Sequence, residues 1–404
     1  MAARDAKRRR PLPAGALRMK AVVCKEAKLC VAERPDPVPG KGQALLKVLR
    51  CGICGSDLHA RHHCDHWGSL MERTGFRGFM RSDQEIVFGH EFCGEIVDHG
   101  PGTKKKFRPG TNVCALPVLR NGNGIELIGL SPRASGAYAE RIVVEESMMV
   151  PVPNGLSPDL AALTEPMAVA WHAVRRGEVK KKDVAIVVGC GPVGLGVICV
   201  LKAMGVATVV ASDFSAGRRD LAKRCGADVV IDPASGSPFA SWQDYGFIGE
   251  LADGLCLLLE TREKLGRLPV PWWHAWRLAD TLGLAPKRPI VFECVGAPGV
   301  LQHIIEGAPL LSRIVVVGVC MKTDQIEPAV AINKEIDLRF VLAYTPLEYR
   351  DALHAIADGK LHCAPLVTGT VGLAGVDAAF AALGHPELHA KILIDPASRA
   401  VLPH

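Results

Sequence analysis

The stretch Val184-Ala-Ile-Val-Val188-Gly189-Cys190-Gly191-Pro192-Val193-Gly194 decides the fold. Its five apolar residues read as a buried strand, and its glycines, at Gly-x-Gly-x-x-Gly spacing, as a tight turn. The apolar run from Pro192 to Met204 then reads as a helix. Asp213 lies 19 residues past the last glycine, at the end of the next strand, Thr208–Ser212. This context predicts a dinucleotide-binding turn. Gly189, Gly191 and Gly194, with Pro192 and Val193 between them, let the backbone approach a pyrophosphate at the helix N-terminus. The Asp213 carboxylate can bond ribose hydroxyls and repel a 2′-phosphate, so NAD is expected over NADP. Arg218, just beyond, could instead serve a phosphate. The 18 uncharged residues Val184–Leu201 match a membrane span in length, but the glycines and Pro192 favour a strand, turn and helix.

Outward from this turn the rhythm continues. Strands are expected at Asp228–Ile231, Ile290–Glu293 and Ile314–Val319, with a helix at Ala216–Cys225. Alternating strands and helices at this spacing predict an α/β fold with a doubly wound parallel sheet. Residues 233–288 interrupt it with four of the six tryptophans, Trp242, Trp272, Trp273 and Trp276. They read either as an extra helical pair on the surface or as a lid or subunit contact. From Met19 to about Val150 the pattern is β-rich and irregular, with short runs at Lys20–Cys24, Ala44–Leu49, Glu95–Asp98 and Arg141–Val144.

At 404 residues, 49% hydrophobic and 22% charged, the chain can hold two or three domains, and disordered or fibrous classes are excluded. Residues 1–18 carry a net +5 of the formal +6, so the rest is near neutrality and has no field for nucleic acid or an anionic membrane. That basic extension is expected to be unstructured rather than a mitochondrial presequence. The 14 cysteines are scattered without a disulfide framework, and Leu12–Leu17 is too short for a signal-peptide core. Reduced thiols and a cytoplasmic location are expected.

Cys51-Gly-Ile-Cys54-Gly-Ser56-Asp57-Leu-His59 is dense in metal-ligand types, but no second Cys-x-x-Cys exists to close a four-cysteine site. Gly89-His90-Glu91, Gly136-Ala-Tyr-Ala-Glu140, Glu165-Pro166 and His389-Ala-Lys-Ile-Leu-Ile-Asp395 follow. Together with the 189–194 turn, these motifs resemble the zinc-dependent medium-chain dehydrogenases (alcohol, polyol and threonine dehydrogenases) over roughly residues 19–232 and 289–396. The resemblance implies a GroES-like catalytic domain at 19–170. A Rossmann domain would span 171–340, with the 233–288 insertion, and 341–404 would return to the catalytic part. It implies one catalytic zinc on Cys54, His90 and Glu165, with Glu91 close by, directly or through water. Thiolate, imidazole and carboxylate with one open position make a catalytic site. Asp57 would orient His90, and Cys51 would only pack. Ser56, and His59 after it, would pass the proton of a zinc-bound alcohol toward solvent while hydride goes to nicotinamide. Alternatives are a zinc-free quinone or enoyl reductase of the same fold, or a non-catalytic protein that kept it.

The chain departs from the family pattern in three places. Only Cys93 and Cys114 lie where many members hold a second, structural zinc, so that site is not expected and 112–135 should be a metal-free loop. Ala60 stands where polyol enzymes have Tyr, and Leu342-Ala343-Tyr344 where they have an Arg-Tyr pair. With Trp67, Phe88 and Trp171 near the metal motifs in sequence, these losses point to an apolar secondary alcohol or ketone rather than a sugar alcohol. The implied assembly is a homodimer or homotetramer, with neither nucleic acid nor membrane as partner.

Overall fold

The structure is a computed structural model that describes residues 18–404 except Asn123, Ala285 and Pro386. The basic extension therefore lies outside the described residues, apart from Arg18, which opens the first strand, Arg18–Lys25.

Val184–Val188 sits at the centre of a six-stranded parallel sheet. Thr208–Ser212 and Val229–Ile231 lie on one side of it, and Ile290–Glu293, Arg313–Val316 and Asp337–Phe340 on the other. All four residues of Ile290–Glu293 are buried, as are four of the five in Val184–Val188, which explains their continuous apolar sequences. Strand order reverses at Val184–Val188, so a crevice opens beyond its carboxyl end, where ligands of such sheets bind. The edge strand Asp337–Phe340 was not expected from the sequence; its burial is only partial and it carries no apolar run.

The remainder is β-rich. A seven-stranded sheet runs Met149–Pro151, Asn112–Ala115, Glu91–His99, Gln43–Gly52, Lys391–Ile394 and Val367–Val371, with Arg141–Glu145 also paired to Gln43–Gly52. The final strand pairs with the first long one, Leu393 opposite Gly52 and Ile394 opposite Cys51. Residues 112–135, expected as a loop, instead give the strand Asn112–Ala115 and a hairpin of Val118–Asn121 with Gly124–Leu127. Arg133 holds the buried Glu126 of that hairpin at 2.7 Å.

The 19-residue helix Gly55–Arg73 takes up much of the long segment between Cys54 and His90. Its composition is polar and His-rich, so no apolar stripe announces it. It is kinked at His63 (φ −128°, ψ 17°). The 233–288 segment forms a pair of helices, Leu251–Gly266 and Trp272–Thr281, neither with a buried residue. Among the described residues no helix is long and apolar enough to cross a membrane.

Candidate active site

Strand pairing builds the metal-ligand cluster. Antiparallel register sets Cys51 opposite Phe92 and Gly52 opposite Glu91, which brings the chain leaving Gly52 toward Cys54 beside the chain entering at His90. Ligand atoms of Cys54, His90 and Glu91 all lie within 4.8 Å of one another. A thiol, an imidazole and a carboxylate at that spacing fit zinc. The backbone accommodates them closely: a Cβ at position 52 would stand 2.1 Å from Glu91 Oε2.

His90 has one nitrogen facing inward and one facing the cluster. Its Nδ1 lies 3.4 Å from Asp57 Oδ1, an electrostatic contact too long for a good hydrogen bond, and its Nε2 lies 3.2 Å from Ser56 Oγ. Asp57 is fully buried, and its other oxygen accepts from the Tyr138 hydroxyl at 2.7 Å and the Cys54 amide at 3.1 Å. Burial disfavours a charged His90, yet the adjacent Asp57 carboxylate outweighs it and raises the imidazole pKa well above its usual value. With Nδ1 turned to a carboxylate, Nε2 is the nitrogen available to a metal.

Two further residues complete the polar core of the site. Lys391, buried in the last strand, donates to both Glu91 oxygens at 2.7 Å and to the Ile53 carbonyl at 2.9 Å, which uses all three of its protons. Burial works against its charge, but Glu91 and then Cys54 hold its pKa above the usual lysine value. Glu165, second residue of the helix Thr164–Gly177, is buried beside His90, Glu91 and Lys391 and receives the Tyr344 hydroxyl. Burial pushes its carboxyl up to about 7.

The glycine turn has the shape its sequence implies. Gly189 adopts φ +92°, and a Cβ on Gly194 would stand 1.9 Å from the Gly189 carbonyl oxygen. A Cβ on Gly191 would meet nothing within 4 Å, so open space faces the start of the Pro192–Ala203 helix, as a pyrophosphate requires. Asp213 accepts the Cys190 amide at 2.7 Å and the Ser215 amide at 2.8 Å, which fixes its carboxylate at the rim of the turn. Arg218 carries a buried Nε without a hydrogen-bond partner, whereas Arg219 is tied to the Asp213 carbonyl at 2.8 Å and to Asp232 at 3.1 Å.

The structure thus gathers Cys54, His90, Glu91, Ser56 and Asp57, with Glu165 at their edge. It does not gather His59, which is exposed on its helix and neighbours His63 instead. Cys51 is fully buried with its thiol 3.5 Å from the Gly52 carbonyl. Phe88 does not line a pocket; it packs in the core against Tyr138 and Phe380. Trp67 pairs with Phe79 at 4.9 Å, and Trp171 packs on the core of the parallel sheet. Sequence reasoning assigned no role to Lys391, Tyr138 or Tyr344. A lone lysine inside the apolar run Ala390–Ile394 was the available signal for the first.

Comparison with known proteins follows the same division. The profile of the alcohol dehydrogenase GroES-like domain matches residues 40–154, and that of the zinc-binding dehydrogenase matches residues 192–247. The (R,R)-butanediol dehydrogenase of Bacillus subtilis (strain 168) is 28% identical over 382 residues, 90% of this chain and 95% of that protein. The L-galactonate-5-dehydrogenase of Escherichia coli (strain K12) is 33% identical over 231 residues, 54% of this chain and 62% of the other. The crystal structure of 2R,3R-butanediol dehydrogenase from Bacillus subtilis superposes with a TM-score of 0.70 at 26% identity, covering 94% of this chain and 99% of that one. The chain is accordingly an α/β protein with a GroES-like part and a Rossmann-like parallel sheet.

Proposed function

We propose that this chain, which belongs to the zinc-dependent medium-chain dehydrogenase family, oxidises a secondary alcohol to a ketone with NAD and one zinc ion, or runs the reverse. The observation that carries the reading is the Cys54, His90 and Glu91 cluster with the Ser56 hydroxyl 3.2 Å from His90 Nε2. In this reading Cys54, His90 and Glu165 hold the metal, with Glu91 in reserve behind its lysine. Zinc bound there would supply Lewis acidity that lowers the pKa of a substrate hydroxyl toward neutrality.

The chain's own residues do the rest. Asp57, itself held by Tyr138, faces Nδ1 of His90 at 3.4 Å and orients the ring by its charge. Ser56, beside His90, is the residue placed to take the proton of a substrate hydroxyl and pass it toward solvent, and a nicotinamide bound at the glycine turn would supply the hydride acceptor. The turn 189–194 seats the pyrophosphate, and Asp213 bonds the adenosine ribose and disfavours a 2′-phosphate.

The substrate is an apolar secondary alcohol in preference to a linear polyol. Ala60 is fully buried and offers no hydrogen bond, and Tyr344 is already committed to Glu165. Each unmatched substrate hydroxyl costs on the order of 1–3 kcal/mol, roughly ten- to hundredfold in specificity constant. Purified protein should carry about one zinc per chain and reduce NAD with such alcohols. Turnover in zinc-free protein, or a linear polyol preferred tenfold over every apolar alcohol, would overturn the reading.

A further inference from the structure

Two hydrogen bonds join the β-rich part to the carboxyl edge of the parallel sheet, one on each flank of the glycine turn. The first comes from the helix Gly55–Arg73, which buries Asp57, Ala60, Cys64 and Gly68 and leaves His66 exposed. His66 Nε2 lies 2.8 Å from the Met321 carbonyl oxygen, and since a carbonyl only accepts, Nε2 carries the proton. Among the described residues, this is the one hydrogen bond that ties residues 319–323 to the rest of the chain; the Cys320 thiol bonds only within the loop, to the Lys322 carbonyl. The loop follows strand Arg313–Val316 and reaches the glycine turn through close backbone contacts. A Cβ on Gly296 would stand 2.7 Å from the Val319 amide nitrogen, and one on Gly194 would stand 3.4 Å from Cys294 Cβ.

The second bond lies on the other flank. Glu387, shortly before the last strand Lys391–Ile394, accepts the Gly217 amide at 3.1 Å. Gly217 is the second residue of the helix Ala216–Arg224, which begins just past Asp213. The two surfaces are in contact there, because a Cβ on Gly217 would collide with the Glu387 carbonyl oxygen. Sheet order sets Thr208–Ser212 on one side of Val184–Val188, and Ile290–Glu293 then Arg313–Val316 on the other. The turn that ends the central strand therefore lies between the two ties.

We infer that His66 and Glu387 are positioning residues for the dinucleotide, holding the two parts of the molecule together over its two ends. The inference rests on the proposed reading of the glycine turn as a nucleotide site. A dinucleotide lies across such a crevice, with its adenosine at Asp213 and its other half over the neighbouring strands, so one tie stands at each end of it. Both side chains are exposed, and their groups return to water when parted. Such bonds add little to folding and yield readily, as a contact must if nucleotide is to exchange.

Variants of the full-length, zinc-loaded protein that separate hydrogen bonding from shape test this. His66→Phe keeps a ring without the donor, and His66→Gln keeps a donor at similar reach. Glu387→Leu removes the acceptor, and Glu387→Gln retains one. Trypsin cleavage after Lys322, quantified by mass spectrometry on nucleotide-free protein, reads the first tie. NADH release, followed by stopped-flow fluorescence, reads both. His66→Phe should be cleaved, and His66→Phe and Glu387→Leu should each release NADH, about two- to tenfold faster than wild type, with both Gln variants close to wild type. Cleavage of His66→Phe at the wild-type rate overturns the tie. NADH release that is unchanged in His66→Phe and Glu387→Leu, or equally fast in the Gln variants, overturns the positioning role. A wild type that binds no NADH fails the nucleotide reading and the inference with it, and that case is recognised by cleavage after Lys322 still responding to His66→Phe.

Discussion

Replacing Lys391 with Met removes the cation bonded to Glu91 while keeping most of the side chain's length and apolar stem. Both partners are essentially inaccessible, at 1% and 0% side-chain exposure, and the pair is closed at 2.7 Å on both carboxylate oxygens. The loss leaves a buried carboxylate beside the Cys54 thiol and Glu165, and orphans the Ile53 carbonyl as well. Breaking one side of a buried pair costs about 3–5 kcal/mol. The double variant Lys391→Met/Glu91→Gln should recover most of that loss, because a pair replaced as a whole leaves no uncompensated charge. Guanidinium unfolding of samples with matched zinc content, followed by far-ultraviolet circular dichroism, measures both. A single variant that loses less than about 1 kcal/mol, or a double variant as unstable as the sum of the two singles, would refute the argument that Lys391 is there to neutralise Glu91.

Three other outcomes are expected. Cys54→Ala should abolish zinc binding and turnover but leave NAD affinity, read by fluorescence titration, within about twofold, since the glycine turn belongs to the other sheet. Asp213→Gly should weaken NAD and improve NADP, with Arg218, whose Nε is unpartnered, taking the 2′-phosphate; a wild type that already uses both equally contradicts it. Burial pushes the Glu348 carboxyl up, but the amide and hydroxyl of Thr345, together with His172, hold it below its usual value. Its contribution to stability is therefore present above about pH 4.5 and lost as the pH falls through the lower folded value. Glu348→Gln keeps the capping amide but loses the charge facing His172 and Arg175, and should cost about 1 kcal/mol at pH 7 and progressively less in acid. A difference that grows as the pH drops would show the sign to be wrong.

Where the sequence was readable, a local cause can be named. Val184–Val188, Thr208–Ser212 and Ile290–Glu293 have the expected ends because each is a short apolar run bounded by charge, serine or glycine. Asp337–Phe340 escaped because an edge strand needs no such run, and Gly55–Arg73 because its order comes from a start at Cys54–Asp57 and contacts such as Arg61 to the Ala27 carbonyl at 2.8 Å. Cys54, His90 and Glu91 were legible as ligand types near glycine. The bonds that organise them were not: Tyr138 meets Asp57 across 81 residues and Lys391 meets Glu91 across 300, and nothing in the local spacing encodes either partner.

The antiparallel match of Lys391–Ile394 to Gln43–Gly52 has a consequence for how the protein is made. At roughly 5–20 residues per second, translation separates Glu91 from its lysine by about 15–60 s, and the ribosomal tunnel adds to the wait. Throughout that interval Glu91 and the Cys51–Gly52 sheet edge lack their partners, while the intervening parallel sheet emerges. A nascent chain stalled before residue 391 is thus a parallel-sheet body attached to an unfinished sheet with an open edge. Chaperone occupancy on ribosomes should peak in that window and fall once the last strand clears the exit.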